Sequence, residues 1–213
     1  NTVVWGFNAS APKVAKGKGF SAAPAPYVSA GSYLLRITKG NETFEKAIEV
    51  KYDSTSTFTL ADREKQQTAT KELITMIQDL AYLVYQIDQW DAKATEYKTK
   101  HAKTKKFVDG LRMELTAMRN SLVVTTGDNY VGAAEDQLRE KINEIYSTVS
   151  SYFGAPSSSE LANIRALSNE LNKAKKQFGV IQETRIKAFK SLLEKDTSIK
   201  MPEILSFEEF LKQ

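Results

Sequence analysis

The stretch between Pro26 and Pro156 contains no proline, and this absence constrains the fold more than any other feature of the sequence. Proline breaks a helix interior because it lacks an N–H and its ring clashes with the preceding turn, so long helices are permitted here. Early in this stretch, apolar residues recur at alternating spacings of three and four, the pattern of a helix that buries one face. They are Leu73, Met76, Leu80, Leu83, Ile87, Trp90, Ala94 and Tyr97. The pattern predicts a first helix over residues 60–103.

Two shorter apolar stripes of the same kind follow. One covers residues 108–122 and starts so soon after the first helix that the chain is predicted to reverse or kink near residues 104–106. The other covers residues 138–152 and stops at Gly154-Ala155-Pro156, a glycine near the cap with a proline beyond it. Both predict short helices that extend a few residues beyond the stripes, to about 30 Å each at 1.5 Å per residue.

A fourth stripe predicts another long helix. It begins after Ser157-Ser158-Ser159, whose hydroxyls are suitable N-caps, and continues to about Asp196. Its register moves by one residue before Ile186. Near the end of the chain, Ser206 stands three residues before Glu209, which matches a capping box and predicts one last short helix.

Residues 1–56 have a different character, because their prolines and turn-spaced glycines exclude long helices. Apolar residues alternate over residues 33–37 and again over 44–52, and Lys39-Gly40-Asn41-Glu42 between them has the composition of a turn. The pattern predicts a β-hairpin, and residues 3–7 are interpreted as one more strand. Since a lone hairpin is marginal in water, its apolar face is expected to need cover from the helices or from preceding chain.

The predicted fold class is α+β and mainly α. A small antiparallel β segment over residues 1–56 precedes an elongated antiparallel four-helix bundle over residues 57–213, with two long and two short helices. The simplest packing is an up-down-up-down order. It is four helices thick at the far end and thins to a two-helix stalk near the β segment, to which the C-terminal tail returns.

Composition excludes several classes of function. The 30 basic and 26 acidic residues leave a net charge of +4 and alternate along the helices, which disfavours nucleic-acid binding. The absence of cysteine excludes disulfides and thiolate chemistry. No apolar run approaches the roughly 18 to 20 residues that span a bilayer. Because Asn1 is not a methionine and opens directly on an apolar run, the chain is interpreted as a processed or truncated piece of a longer protein.

The sequence predicts no catalytic residue, no metal site and no cofactor. His101 is the only histidine, and it is interpreted as a residue at the end of the first helix. A di-iron site in a helical bundle needs a glutamate three residues before a histidine, whereas Lys98 occupies that position. The carboxylates of the first helix lie mostly off its apolar stripe, as expected for a solvated face.

Two groups of residues are candidates for a partner surface. Tyr82 and Tyr85 lie on neighbouring faces of the first helix, where an exposed aromatic patch would suit a protein partner. Lys103, Lys105 and Lys106 surround the predicted reversal. Lysines near a helix C-terminus complement its dipole, and this structural interpretation is preferred over a patch that binds anions.

One succession of motifs resembles a known family. Val4-Trp5 and a loop rich in proline and alanine precede residues 28–38, a short turn and residues 44–53. This order resembles the region after the β-propellers of bacterial BNR-repeat, sortilin-like "glycosyl hydrolase" proteins, in which a tryptophan strand and a hairpin precede a helical region. Ser29-Ala30-Gly31-Ser32 replaces the family's proline-glycine-threonine, and Ser54 replaces a proline.

The resemblance implies an exported protein, periplasmic, extracellular or on the cell surface and often from Bacteroidota, whose ligand-binding or catalytic face belongs to upstream propellers. In that phylum Asp53-Ser54-Thr55 would match an O-glycosylation pattern, with Ser54 as the acceptor. The first hypothesis is a non-catalytic accessory region that acts as a spacer or docking module. The alternatives are a helical subunit of a cell-surface or secretion complex that binds a partner protein, and the helical part of a glycoside hydrolase.

Overall fold

A computed structural model describes residues 2, 4–18, 22–126, 135–196 and 198–213. Two strands, β1 (Gly31–Lys39) and β2 (Glu42–Val50), form an antiparallel sheet. The remaining elements are the helices α1 (Leu60–Lys100), α2 (Lys105–Leu122), α3 (Leu138–Ser151), α4 (Ser158–Ile181), α5 (Lys187–Leu193) and α6 (Phe207–Lys212). The predicted class, mainly helical with one small antiparallel sheet, is confirmed.

The predicted hairpin is confirmed, and its register runs from Gly31 opposite Val50 to Lys39 opposite Glu42. Gly40 in its two-residue turn has a φ of 60°, a conformation that favours glycine. Asn1 and Val3 lie outside the described residues.

The part of the predicted first strand that is described, residues 4–7, is not a strand. The chain turns at Phe7, whose φ is 57°, and the Trp5 indole N–H donates to the Asn8 carbonyl at 3.0 Å. Asn8 then forms an isolated antiparallel bridge with Tyr27. The apolar run therefore ends in a bend at Phe7, and its described residues form no strand.

Capping motifs in the sequence mark where the helices begin. The Thr59 hydroxyl and the Asp62 carboxylate form a capping box at the start of α1, and the predicted box of Ser206 and Glu209 starts α6. The predicted reversal after α1 is a single 3-10 turn over Ala102–Thr104.

The predicted change of register in the fourth stripe is also confirmed. A π-helical turn over Gln182–Ile186 joins α4 to α5. A π turn contains about one residue more than an α turn, so it absorbs the single-residue shift. Phe178 before it and Phe189 after it both remain buried in the hydrophobic core.

The helices pack in three rows, which corrects the predicted up-down-up-down order. α2 is antiparallel to α1: Asp109 near its start pairs with Lys98, and Arg119 near its end pairs with Asp88. α3 contacts α2 and continues in the same direction along α1.

At its last turn α3 lies beside the beginning of α1, where the Gln66 amide donates to the Val149 carbonyl at 2.9 Å. α2 and α3 together span about 50 Å against about 60 Å for α1, so two short helices in line cover one long helix. Because α3 covers the end of α1 nearest the hairpin, the predicted two-helix stalk is also wrong.

The third row, α4 with α5, runs parallel to α1 rather than antiparallel. Lys175 of α4 pairs with Asp79 at 2.8 Å, and further along both helices Phe189 packs edge-on against Trp90 and Tyr97. Past the end of α5, Asp196 reaches His101. The contacts therefore advance in the same direction along both rows.

Part of the predicted β segment packs on the helices. Ala15 and Ala23 are buried in the hydrophobic core that the helices form. The tail also returns to this part of the chain, because Lys13 donates to the Phe210 carbonyl of α6. The predicted division at residue 56 stays a prediction, while the hairpin itself is the portion that projects from the core.

Candidate binding surfaces

The hairpin exposes an apolar surface. Because side chains alternate along a strand, Tyr33, Leu35, Ile37, Phe44 and Ile48 share one face, and this set is called the apolar hairpin face. Tyr33 and Ile48 at the base are half-buried, whereas Ile37 and Phe44 near the turn are 47% and 59% exposed. Lys46 stands opposite Leu35 on the same face. The other face is more polar and carries the ion pair of Arg36 with Glu45, although the exposed Leu34 also lies there.

Covering this face would be favourable. Full burial of one Ile or Phe side chain contributes about 1.5 to 3 kcal/mol. Among the described residues the sheet has two strands, so each strand also presents one edge whose backbone groups can pair with another strand. An exposed apolar face with open edges is typical of a surface that binds another protein.

A cavity of about 250 Å³ lies between the base of the hairpin, the first turns of α1 and the residues after α3. It is called the Arg63 cavity, and its walls include Val28, Ser29, Tyr33, Arg63, Gln67, Ile74 and Phe153. Arg63 is 9% exposed, and its guanidinium lies 4.1 Å from the centre of the Phe153 ring and 5.1 Å from that of Tyr52. Among the described residues, its buried Nη1 has no hydrogen-bond partner.

Arg63 was not predicted as a site residue, because it lies in the polar run Arg63-Glu64-Lys65, which has the composition of a solvated surface. A signal was present, since Arg63, Gln66 and Thr70 extend the stripe of α1 backwards from Leu73 at spacings of three and four. All four side chains are buried.

The chain's own C-terminal segment covers Tyr82 and Tyr85. The Tyr82 hydroxyl donates to the Leu205 carbonyl at 2.9 Å, and the Tyr85 hydroxyl accepts from the Leu205 amide at 3.2 Å. The Tyr85 ring lies 5.0 Å from that of Phe210 in α6. Both tyrosines are therefore half-buried, and their role as a surface for a separate partner stays a prediction.

Lys103, Lys105 and Lys106 are exposed at the reversal after α1. Lys105 and Lys106 form the first turn of α2, where the helix dipole disfavours positive charge. The interpretation of these two as lysines at a helix C-terminus is therefore wrong. It applies to Lys98 and Lys100, which lie in the last turn of α1.

Ser54 is exposed in the turn that joins β2 to α1. The Thr55 hydroxyl and amide both donate to the Asp53 carboxylate, at 2.7 and 2.8 Å, and these hydrogen bonds lower the pKa of Asp53. The turn presents the Ser54 side chain to solvent, while its glycosylation stays a prediction.

His101 caps the C-terminus of α1, as the sequence analysis expected. Its ring stacks on Tyr97 with centres 4.3 Å apart, and its Nε2 lies 2.6 Å from the Asp196 carboxylate. Within the described ranges, no three histidine, aspartate or glutamate side chains are grouped so that they could hold a metal ion. The helices of these ranges include none that is long and apolar enough to cross a membrane.

No family model, curated protein or solved structure matches this chain. The resemblance to the region after bacterial β-propellers therefore stays a prediction that depends on the motifs of residues 4–53.

Proposed function

We propose that this chain is a non-catalytic spacer and docking module of an exported multidomain protein, and that the apolar hairpin face binds a β-rich domain. The observation that carries this proposal is the exposure of Ile37 and Phe44 on one face of a sheet that projects from the packed helices. A two-stranded sheet of this kind is marginal in water until its apolar face is covered.

The shape of the face favours a β-rich partner over a helical one. It is a pleated surface on which residues of the two strands stand directly opposite each other, such as Ile37 and Phe44. Two sheets pack through such faces at a separation of about 10 Å, and an open edge can add a strand in the same contact. The resemblance to a region that follows β-propellers supports the same kind of partner.

The helical rows suit the role of a spacer. α1 is about 60 Å long and is covered along its length by α2, α3 and the row of α4 and α5. Ion pairs link the rows at several levels, including Asp88 with Arg119 and Asp79 with Lys175. The three rows of helices therefore hold the hairpin at a fixed distance from Lys103, Lys105 and Lys106, which lie at the other end of α1.

Photo-cross-linking in the parent protein tests this proposal. A photoreactive phenylalanine at position 44 lies on the apolar hairpin face, and the same residue at position 43 lies on the opposite face as a matched control. We expect position 44 to cross-link to residues of a β-rich domain and position 43 to do so far less.

Equal cross-linking from both positions, or cross-links from position 44 to a second copy of this chain alone, would contradict the proposal. Hydrolysis of glycosides or peptides by the purified chain would contradict its non-catalytic part.

A further inference from the structure

Arg63 and Arg139 are both buried arginines, but their surroundings differ. Arg139 is 1% exposed, donates to the carbonyls of Ala15 at 3.1 Å and Lys18 at 2.7 Å, and pairs with Glu140. Arg63 has aromatic rings against its guanidinium, and within the described ranges its buried Nη1 has no hydrogen-bond partner. A buried hydrogen-bond donor without a partner is unfavourable, so this nitrogen indicates a missing acceptor.

The acids that border Arg63 on its other side already have partners. Asp53 accepts two hydrogen bonds from Thr55, and Glu49 pairs with Lys51 at 3.0 Å. Neither forms an ion pair with Arg63. The acceptor that Arg63 lacks is therefore not supplied by these neighbouring carboxylates.

The wall of the Arg63 cavity that α1 provides includes three side chains that can donate hydrogen bonds. Arg63, Gln67 and Lys71 are spaced four apart, so they lie on one side of the helix. The Gln67 Oε1 accepts from the Ser29 hydroxyl at 2.9 Å, so the amide nitrogen of Gln67 is left to donate to another group. That buried nitrogen has no partner among the described residues. No aspartate or glutamate of the described chain lines the cavity, so its polar wall favours an anion.

The remaining walls are mostly apolar. They include Pro26, Val28, Tyr33, Ile74 and Phe153. The volume of about 250 Å³ is slightly below the range of roughly 300 to 1,000 Å³ that is usual for ligand sites. An occupant must therefore be small, and it must combine an anionic group with an apolar body.

We propose that the Arg63 cavity binds a small monocarboxylate with an apolar body. The carboxylate accepts hydrogen bonds from the guanidinium of Arg63 and the amide of Gln67, and the body packs against Val28 and Ile74. Arginine matches a carboxylate because its planar fork donates two parallel hydrogen bonds. A bare phosphate would satisfy the donors but would leave the apolar walls without a partner.

Titration calorimetry with benzoate tests this site, with benzamide as the neutral molecule of the same shape and inorganic phosphate as the anion without an apolar body. We expect saturable binding of benzoate to the wild-type chain and much weaker binding of the other two. Arg63→Met is expected to lower the affinity for benzoate at least about tenfold, because a charge-assisted pair of hydrogen bonds is lost. Arg165→Met removes an exposed arginine of α4 and is expected to leave the affinity unchanged.

Thermal unfolding without ligand separates a binding role from a structural one. Arg63→Met is expected to unfold at the same temperature as the wild type or higher, because the variant lacks the unpaired buried charge. Gln67→Leu is expected to keep the fold and to weaken benzoate binding by a smaller factor.

Three results would overturn the proposal. In the binding experiment they are the absence of saturable benzoate binding to the wild type, equal binding by Arg63→Met, and phosphate or benzamide binding as tight as that of benzoate. In the unfolding experiment a fourth result, a large fall in the unfolding temperature of Arg63→Met, would assign the side chain to the fold and would overturn the proposal as well.

Discussion

The helical rows and the hairpin contain similar apolar residues, but only the rows bury them. Phe189 of α5 is 0% exposed and packs against Trp90 and Tyr97, whereas Phe44 of β2 is 59% exposed. The rows therefore obtain their stability from contacts within the chain. It follows that the apolar hairpin face contributes little to folding and is available for contacts with another protein.

The largest expected effect is the loss of a core side chain. Phe189→Ala removes the ring between Trp90 and Tyr97 and leaves a cavity in a close-packed core, so it is expected to cost about 3 to 5 kcal/mol of unfolding free energy. Urea denaturation followed by circular dichroism measures this change.

The matched variant Phe44→Ala is expected to change the unfolding free energy by no more than about 0.5 kcal/mol, because an exposed side chain away from packed contacts contributes little. If Phe44→Ala lowered the unfolding free energy as much as Phe189→Ala, the contrast between the hairpin and the helical rows would be contradicted, since the hairpin face would then be packed within the chain.

A second, smaller contrast involves the two buried arginines. Arg139→Met leaves the carbonyls of Ala15 and Lys18 without their donor, and is expected to cost about 2 to 3 kcal/mol. Arg63→Met removes no hydrogen bond among the described residues and is expected to cost nothing. The same urea titrations compare the two variants, and equal costs would contradict the account of Arg63.

The tail provides an intermediate case, because the chain covers its own aromatic pair. Tyr82→Phe removes the hydrogen bond to the Leu205 carbonyl and is expected to cost about 1 kcal/mol. The effect is expected to be local, so hydrogen exchange should become faster in α6 and remain unchanged in α2. Faster exchange throughout the helices would instead show that α6 and the core open together.

The smallest effect concerns pH. Hydrogen bonds from the hydroxyl and amide of Ser198, with a further contribution from His101, lower the pKa of Asp196. The folded-state pKa is below the unfolded value of about 3.9, so this contribution is complete above that value and disappears as the pH falls through the folded pKa. Asp196→Asn is therefore expected to be less stable than the wild type at about pH 6, with a smaller difference at about pH 3. A difference that grows on acidification would contradict this sign, as measured by urea unfolding at both pH values.

Periodicity in the sequence was sufficient to predict the helices and the hairpin, whereas the strand predicted over residues 3–7 is not found at its described residues. The hairpin, the reversal after α1 and the change of register before Ile186 all depend on local patterns and were confirmed. The order of the helices was not predictable in the same way. Lengths alone permit either a four-helix arrangement or two short helices in line beside a long one, and only contacts between distant residues, such as Asp79 with Lys175, distinguish them.

The candidate sites were likewise predictable only in part, because they too depend on contacts between distant residues. The sequence indicated Tyr82 and Tyr85, but it gave no sign that Leu205 and α6 return to cover them. The stripe of α1 extends back to Arg63, but the sequence gave no sign of the Arg63 cavity, because three separate parts of the chain meet there. A helical stripe indicates which side of a helix is buried, but it does not specify which distant residues pack against that side.

Hydrogen exchange of the hairpin in two states tests the central claim most directly. The exchange rates of residues 31–50 are compared between the isolated chain and the intact parent protein, with α1 as the internal reference. We expect exchange in the hairpin to slow by at least about tenfold in the parent protein, because a partner covers the apolar hairpin face and an open edge, while the rates in α1 stay the same. Equal rates in the two states would contradict the claim that this face is a docking surface.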